Sequence, residues 1–154
     1  MTDQPPKKPI HILLADDDED DRFLTREAFQ QHFPVSRISF VEDGEELMEY
    51  LSYSGRYVGG EHTLPELILL DLNMPRKDGR EALKQIKSDD LLRHIPVIIL
   101  TTSDAKDDIE TSYFNGANSF ITKPTSYQRL SEVTKAIGLY WFSVVTMCNH
   151  ELDE

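Results

Sequence analysis

The sequence predicts a doubly wound α/β fold: a five-stranded parallel sheet in the order 2-1-3-4-5, with helices on both faces. Three observations carry this reading. Strand-length and helix-length patterns alternate five times along 154 residues. Three strand-like runs, IHILLA, ELILLD and PVIILT, are apolar almost throughout rather than alternating, as strands covered on both faces must be. Each of the three also gives way abruptly to a polar residue, at the sheet edge where such folds bind ligands.

The elements follow in order. Residues 1–9 carry three prolines and read as a disordered leader. Ile10–Ala15 is the first strand. Glu19 to about Phe33 reads as an amphipathic helix with Phe23, Leu24, Ala28 and Phe29 on one side, stopped by Pro34. Arg37–Val41 is a second strand, and Glu45–Tyr53 a helix turning Leu47, Met48, Tyr50 and Leu51 inward. Ser54–Pro65 holds three glycines and reads as a loop. Glu66–Asp71 is the third strand, Gly79–Ser88 a short helix, Pro96–Thr101 the fourth strand, and Ala105–Asn115 a helix closing at Gly116. Asn118–Thr122 is the fifth strand. A last helix follows from Tyr127, with apolar residues recurring through Val145 and a weak point or break at Gly138. The expected division is a leader over 1–9, one domain over 10–138, and an extension of the last helix with a tail over 139–154.

Composition narrows the function classes. Sixteen basic against 28 acidic residues give a net charge of −12, which disfavours a nucleic-acid surface, since phosphates need Lys and Arg to neutralise them. It favours cationic partners, divalent metals among them. No run reaches the ~18 apolar residues of a membrane span, the N-terminus has no apolar core of a signal peptide, and Cys148 is the sole cysteine. A cytoplasmic protein without a membrane role is the expectation. The five histidines show no metal-ligand spacing and read as incidental.

The strand ends hold the chemistry. Asp16 and Asp17 follow the first strand, Asp71 ends the third, Thr101 ends the fourth, and Lys123-Pro124 follow the fifth. Acidic runs are often solvated helix starts, and an Asp after a strand is often only a cap. Those readings do not explain three carboxylates, a hydroxyl and an ammonium converging on one edge. Crowded carboxylates call for a hard cation such as Mg2+; one of them can then serve as a nucleophile toward phosphorus, flanked by an ammonium and a hydroxyl for the phosphoryl oxygens.

The segments ILLADDDEDD, LILLDLNMPRKDG, IILTTS and FITKP resemble the receiver domain of two-component response regulators, over about residues 10–138. The resemblance implies a flavodoxin-like fold and a phosphoacceptor, not a conventional enzyme. It makes Asp71 the acceptor for a histidine kinase, with Asp16, Asp17, Asp71 and the Asn73 backbone carbonyl around Mg2+. Lys123 becomes the phosphate-pairing lysine, Thr101 and Phe120 the conformational switch, and Lys123–Pro124 a cis peptide. An acid pair displaced to Asp17-Asp18 stays open, with Ala15 as the last apolar residue favouring Asp16-Asp17. Phe120 departs from the commoner Tyr, which excludes a phenol hydrogen bond but not ring burial, and Ser54–Pro65 is long for the family.

The long loop, PRKDGRE, LTTSDAKDDI and the aromatic YWF also resemble small stand-alone regulators paired with phytochrome histidine kinases. That implies such a kinase as partner. The cluster Tyr140, Trp141, Phe142, Val144, Val145 and Met147 either folds back onto its own core or, in the preferred reading, forms the surface of a homodimer through the last helix and its extension. Competing folds fit less well. A haloacid-dehalogenase-type phosphatase wants a second Asp where Asn73 stands, a flavodoxin phosphate loop would not carry six consecutive acids, and no Walker loop is present. A phosphorylation-independent binding module of the same fold is the remaining alternative.

Overall fold

In a computed structural model, which describes residues 10–148, five parallel strands pair in the order β2-β1-β3-β4-β5. They are β1 (His11–Ala15), β2 (Arg37–Val41), β3 (Leu67–Leu70), β4 (Val97–Thr101) and β5 (Ser119–Thr122). The helices between and after them are α1 (Glu19–His32), α2 (Gly44–Ser52), α3 (Gly79–Ser88), α4 (Lys106–Phe114) and α5 (Tyr127–Gly138). β1, β3 and β4 are buried at every position, which is why their sequences do not alternate. The proposed leader and the last six residues of the tail lie outside the described residues.

Successive residues of a strand point to opposite faces, so the sheet divides its apolar side chains between two layers. Leu13, Ala15, Ile68, Leu70, Val97 and Ile99 pack with Leu47 and Leu51 of α2 and Leu83 and Ile86 of α3. Ile12, Leu14, Leu67, Leu69 and Ile98 pack on the other face with Phe29 of α1, with Phe33 at the C-cap of α1, and with Ile137 of α5. Phe29 is fully buried there, and truncating it to Ala should cost about 3–5 kcal/mol. The register aligns Ala15 with both Val41 and Leu70, and Thr101 with Thr122, so the carboxyl ends finish at one edge.

Several expectations need correcting. Phe23 and Leu24 of α1 are exposed rather than inward. The buried side is set by Thr25, Ala28 and Phe29; at ~100° per residue, Phe23 then falls nearly opposite it. Gly138 does not end the helical path. It is the point where α5 meets α1: a Cβ there would lie 2.0 Å from the Phe33 ring. The chain continues through a π-helical turn, Leu139–Val144. Leu139, Trp141 and Phe142 of that turn pack on the α1/α5 side of the core, while Tyr140 and Val144 stay exposed.

The Ser54–Pro65 loop contains a single 3-10 turn at Gly55–Tyr57 and is pinned to α2 by aromatic rings. His62 stacks on Tyr53 with ring centroids 4.4 Å apart, and Tyr57 meets Tyr50 edge-on at 5.0 Å. Among the described residues no helix is long and apolar enough to cross a membrane.

Candidate phosphoacceptor and metal site

The acidic run after β1 is sorted by the start of α1. Asp18 is the N-cap, accepting the Asp21 backbone N–H at 3.1 Å, as helix starts require. Asp18 is thus engaged as a cap, while Asp16 and Asp17 are the acids of the run that gather with Asp71. Asp16 is buried, its Oδ1 accepting the Asp18 N–H at 2.9 Å; Asp17 is exposed.

Asp71 sits one strand over. Its N–H donates to the Ala15 carbonyl at 3.0 Å, which fixes it beside the end of β1. The side chain is nearly buried, and Oδ1 accepts the Asn73 N–H at 3.2 Å. Gly79, at the start of α3, makes this close turn possible: a Cβ there would lie 2.1 Å from the Asp71 carbonyl oxygen. Ligand oxygens of Asp16, Asp17 and Asp71 come within 4.8 Å of one another.

Lys123 crosses to these acids from the end of β5, where its N–H donates to the Thr101 carbonyl. The ammonium meets Asp21 at 2.7 Å, Asp16 at 2.8 Å and Asp71 at 3.0 Å. Burial works against this cation, but hydrogen bonds to Asp16 and Asp21 and the charges of Asp16 and Asp71 outweigh it and hold its pKa above the ordinary lysine value. Asp16 goes the other way from a paired carboxylate. Burial, helped by the nearby Asp71, raises its pKa in spite of Lys123 and the Asp18 N–H. The carboxylates of Asp16, Asp17, Asp21 and Asp71 gather around the one Lys123 ammonium, and that excess of negative charge favours a divalent cation.

Asp21 escaped the sequence reading. Which acid of the run turns inward depends on helical phase after the cap, and Asp21 lies one turn before Thr25 on the buried side of α1. Thr101 is fully buried, and its Oγ1 accepts the Ser103 N–H at 3.4 Å. Phe120 is partly buried against the α2/α3 side of the core, and its N–H donates to the Tyr113 hydroxyl at 3.0 Å. The expected cis Lys123–Pro124 bond is not found: all described peptides are trans, the ordinary isomer even before proline, and the lysine reaches Asp71 from it.

The three carboxylates suit Mg2+, a hard ion with oxygen ligands about 2.1 Å away and hence roughly 3–4 Å from one another. Comparison with known proteins agrees. Residues 12–135 match the response regulator receiver domain. The probable methanogenesis regulatory protein FilR2 of Methanothrix harundinacea is 39% identical over 133 residues, 86% of this chain and 84% of its own. Response regulator Rcp1 of Synechocystis is 37% identical over 96% of this chain and 98% of its length. The crystal structure of the phosphorylated cyanobacterial phytochrome response regulator RcpA superposes with a TM-score of 0.86 at 40% identity, covering 92% of this chain and 99% of that one. Mn2+-bound Rcp1 superposes at 0.84 with 36% identity, covering 92% and 100%. Receiver domains bind Mg2+ at an acidic pocket, and Asp16, Asp17 and Asp71 form such a pocket here. From the strand-end chemistry, the sheet order and these likenesses together, the chain belongs to the response regulator receiver domain family.

Proposed function

We propose that this chain is a stand-alone response regulator whose Asp71 takes a phosphoryl group from a histidine kinase, and that the kinase is of the phytochrome type. The observation that carries the acceptor assignment is the Lys123 ammonium 3.0 Å from Asp71, beside the Asp16–Asp17 pair. A carboxylate oxygen of Asp71 attacks phosphorus in line with the bond to the kinase imidazole nitrogen. The P–N bond breaks as the P–O bond forms, and the imidazole leaves with the electron pair. Lys123 pairs with the phosphoryl oxygens, and Asp16, Asp17, Asp71 and the Asn73 carbonyl would hold Mg2+. The ion, when bound, neutralises the phosphoryl charge. The protein's chemistry is confined to its own phosphorylation and slow dephosphorylation.

Phosphorylated Asp71 draws in the Thr101 hydroxyl, and the vacated space favours a more buried Phe120 ring, a population shift toward an active surface. The kinase type is supported by RcpA, a phytochrome response regulator 40% identical to this chain. Residues 10–138 serve as the receiver, and the segment from 139 as an extension. Exposed Tyr140 and Val144, set on α5's continuation, are the surface through which two copies pair. Light scattering should give a dimer for the wild type and a monomer for a chain ending at Gly138; a monomeric wild type at high concentration rejects the pairing.

Acetyl phosphate with Mg2+ should add one phosphoryl mass to the wild type and none to Asp71→Asn. An unchanged wild-type mass would favour the phosphorylation-independent binding module.

A further inference from the structure

Lys123 spends all its donors on carboxylates. Its Nζ lies 2.8 Å from Asp16 Oδ2, 3.0 Å from Asp71 Oδ2 and 2.7 Å from Asp21 Oδ2, and an ammonium has three N–H groups and no more. The three acids are not alike. Asp16 and Asp71 belong with Asp17 to the group whose carboxylate oxygens gather within 4.8 Å; Asp21 does not. Their side chains are 3% and 8% exposed, against 38% for Asp21. Their other oxygens are engaged too, Asp16 Oδ1 by the Asp18 N–H and Asp71 Oδ1 by the Asn73 N–H. Room for a cation on Asp16 and Asp71 therefore comes most readily from the ammonium, which rides on a flexible stem, rather than from backbone N–H groups. An ammonium and Mg2+ on one oxygen would stand about 4 Å apart, where like charges repel.

Asp21 is placed to keep the lysine when that happens. It stands in the first turn of α1, where the helix dipole favours an acid, and its N–H is held by the Asp18 cap. The Lys123 backbone is fixed separately, by its N–H on the Thr101 carbonyl at 2.7 Å. We infer that Asp21 is a positioning residue: it holds the Lys123 ammonium on the α1 side of the site, so that Asp16 and Asp71 can exchange it for a divalent cation without losing it to solvent. The inference rests on Asp16, Asp17 and Asp71 being the ligands of that cation. Held by Asp21, the ammonium stays beside Asp71 and within reach of phosphoryl oxygens. Without Asp21 it competes for Asp16 and Asp71 or leaves the site.

The test measures Mg2+ affinity from the Asn73 amide signal in wild type, Asp21→Asn, Lys123→Met and the double variant. The Lys123 ammonium is followed directly by 1H–15N NMR in cold, slightly acidic buffer. Asp20→Asn, which removes an exposed acid of the same turn, is the control for charge. Asp21→Asn should bind Mg2+ roughly three- to tenfold more weakly than wild type, within the range of coupling between contacting residues, and Asp20→Asn should bind nearly as wild type does. Once Lys123→Met is in place, Asp21→Asn should cost no more than Asp20→Asn. On addition of Mg2+ the ammonium signal should persist in wild type and be lost to solvent exchange in Asp21→Asn. Equal weakening by Asp20→Asn would reduce Asp21 to one charge among many, and undiminished weakening in Lys123→Met would mean that it acts on the cation without the lysine. Either result overturns the inference, as does an ammonium signal that behaves alike in wild type and Asp21→Asn. Wild-type Mg2+ affinity in Asp17→Ala would instead overturn the ligand assignment on which the inference rests.

Discussion

The two ends of β1 bury polar groups in opposite ways. At its start, His11 is buried and neutral, its Nε2 shared between the Ser39 hydroxyl at 3.0 Å and the Tyr50 hydroxyl at 3.2 Å. Tyr50 in turn packs against His62, which binds the Tyr50 carbonyl at 2.8 Å. Burial, with Arg37 nearby, lowers the His11 pKa to about 4. At the strand's other end, Asp16 and Asp71 are buried and share the Lys123 ammonium with Asp21. The first network is closed on itself and serves the fold, tying the long loop and α2 to the sheet. The second sets several carboxylates against one ammonium, a condition a domain tolerates where it holds a cation.

That contrast breaks most visibly at Asp17. Asp17→Ala removes an exposed carboxylate that lies beside those of Asp16 and Asp71. Phosphorylation by acetyl phosphate and Mg2+ binding should both be lost, while circular dichroism stays that of the wild type. Melting without metal should be unchanged or higher, because a like charge has gone. Normal phosphorylation of Asp17→Ala would mean that the charged end does not depend on its metal.

At the neutral end the expected effect lies in stability. The His11 pKa is lowered on folding from 6.5 to about 4, so between those values the unfolded chain binds more protons. Stability is complete above about pH 6.5 and falls as pH drops toward 4, by up to about 3 kcal/mol. Urea unfolding of wild type and His11→Gln at pH 7 and pH 4.5 measures it. The variant should lack this part of the pH dependence; identical slopes would remove His11 from the account.

The smallest effect belongs to the link between the ends of β4 and β5. Thr101→Ala should still accept a phosphoryl group, but the NMR shifts around Phe120 on phosphorylation should shrink. Equal shifts in wild type and variant would uncouple the hydroxyl from the ring.

How much of this could be read in the sequence follows the same division. Strands β1, β3 and β4 were legible because full burial erases alternation, and the meeting of Asp16, Asp17, Asp71 and Lys123 at one edge was legible because each lies where a strand runs out. Asp21 was not. It sits in the first turn of α1 amid many other acids, and only helical phase turns it toward Lys123. Exposed Phe23 shows the same limit from the apolar side: a hydrophobic residue in a helix does not reveal which way the helix is turned. Gly138, read as a weak point, is instead a contact surface, since only the arrival of Phe33 from α1 explains the missing side chain.

The central claim, that the charged end of the sheet exists to carry a phosphoryl group on Asp71, is tested most directly by borohydride reduction of the acetyl-phosphate-treated protein followed by peptide mapping. Hydride converts an acyl phosphate at Asp71 to homoserine. The predicted result is homoserine at position 71 alone, dependent on Mg2+. Homoserine at 16, 17 or 21, or none at any position despite a phosphoryl mass on the protein, would contradict it.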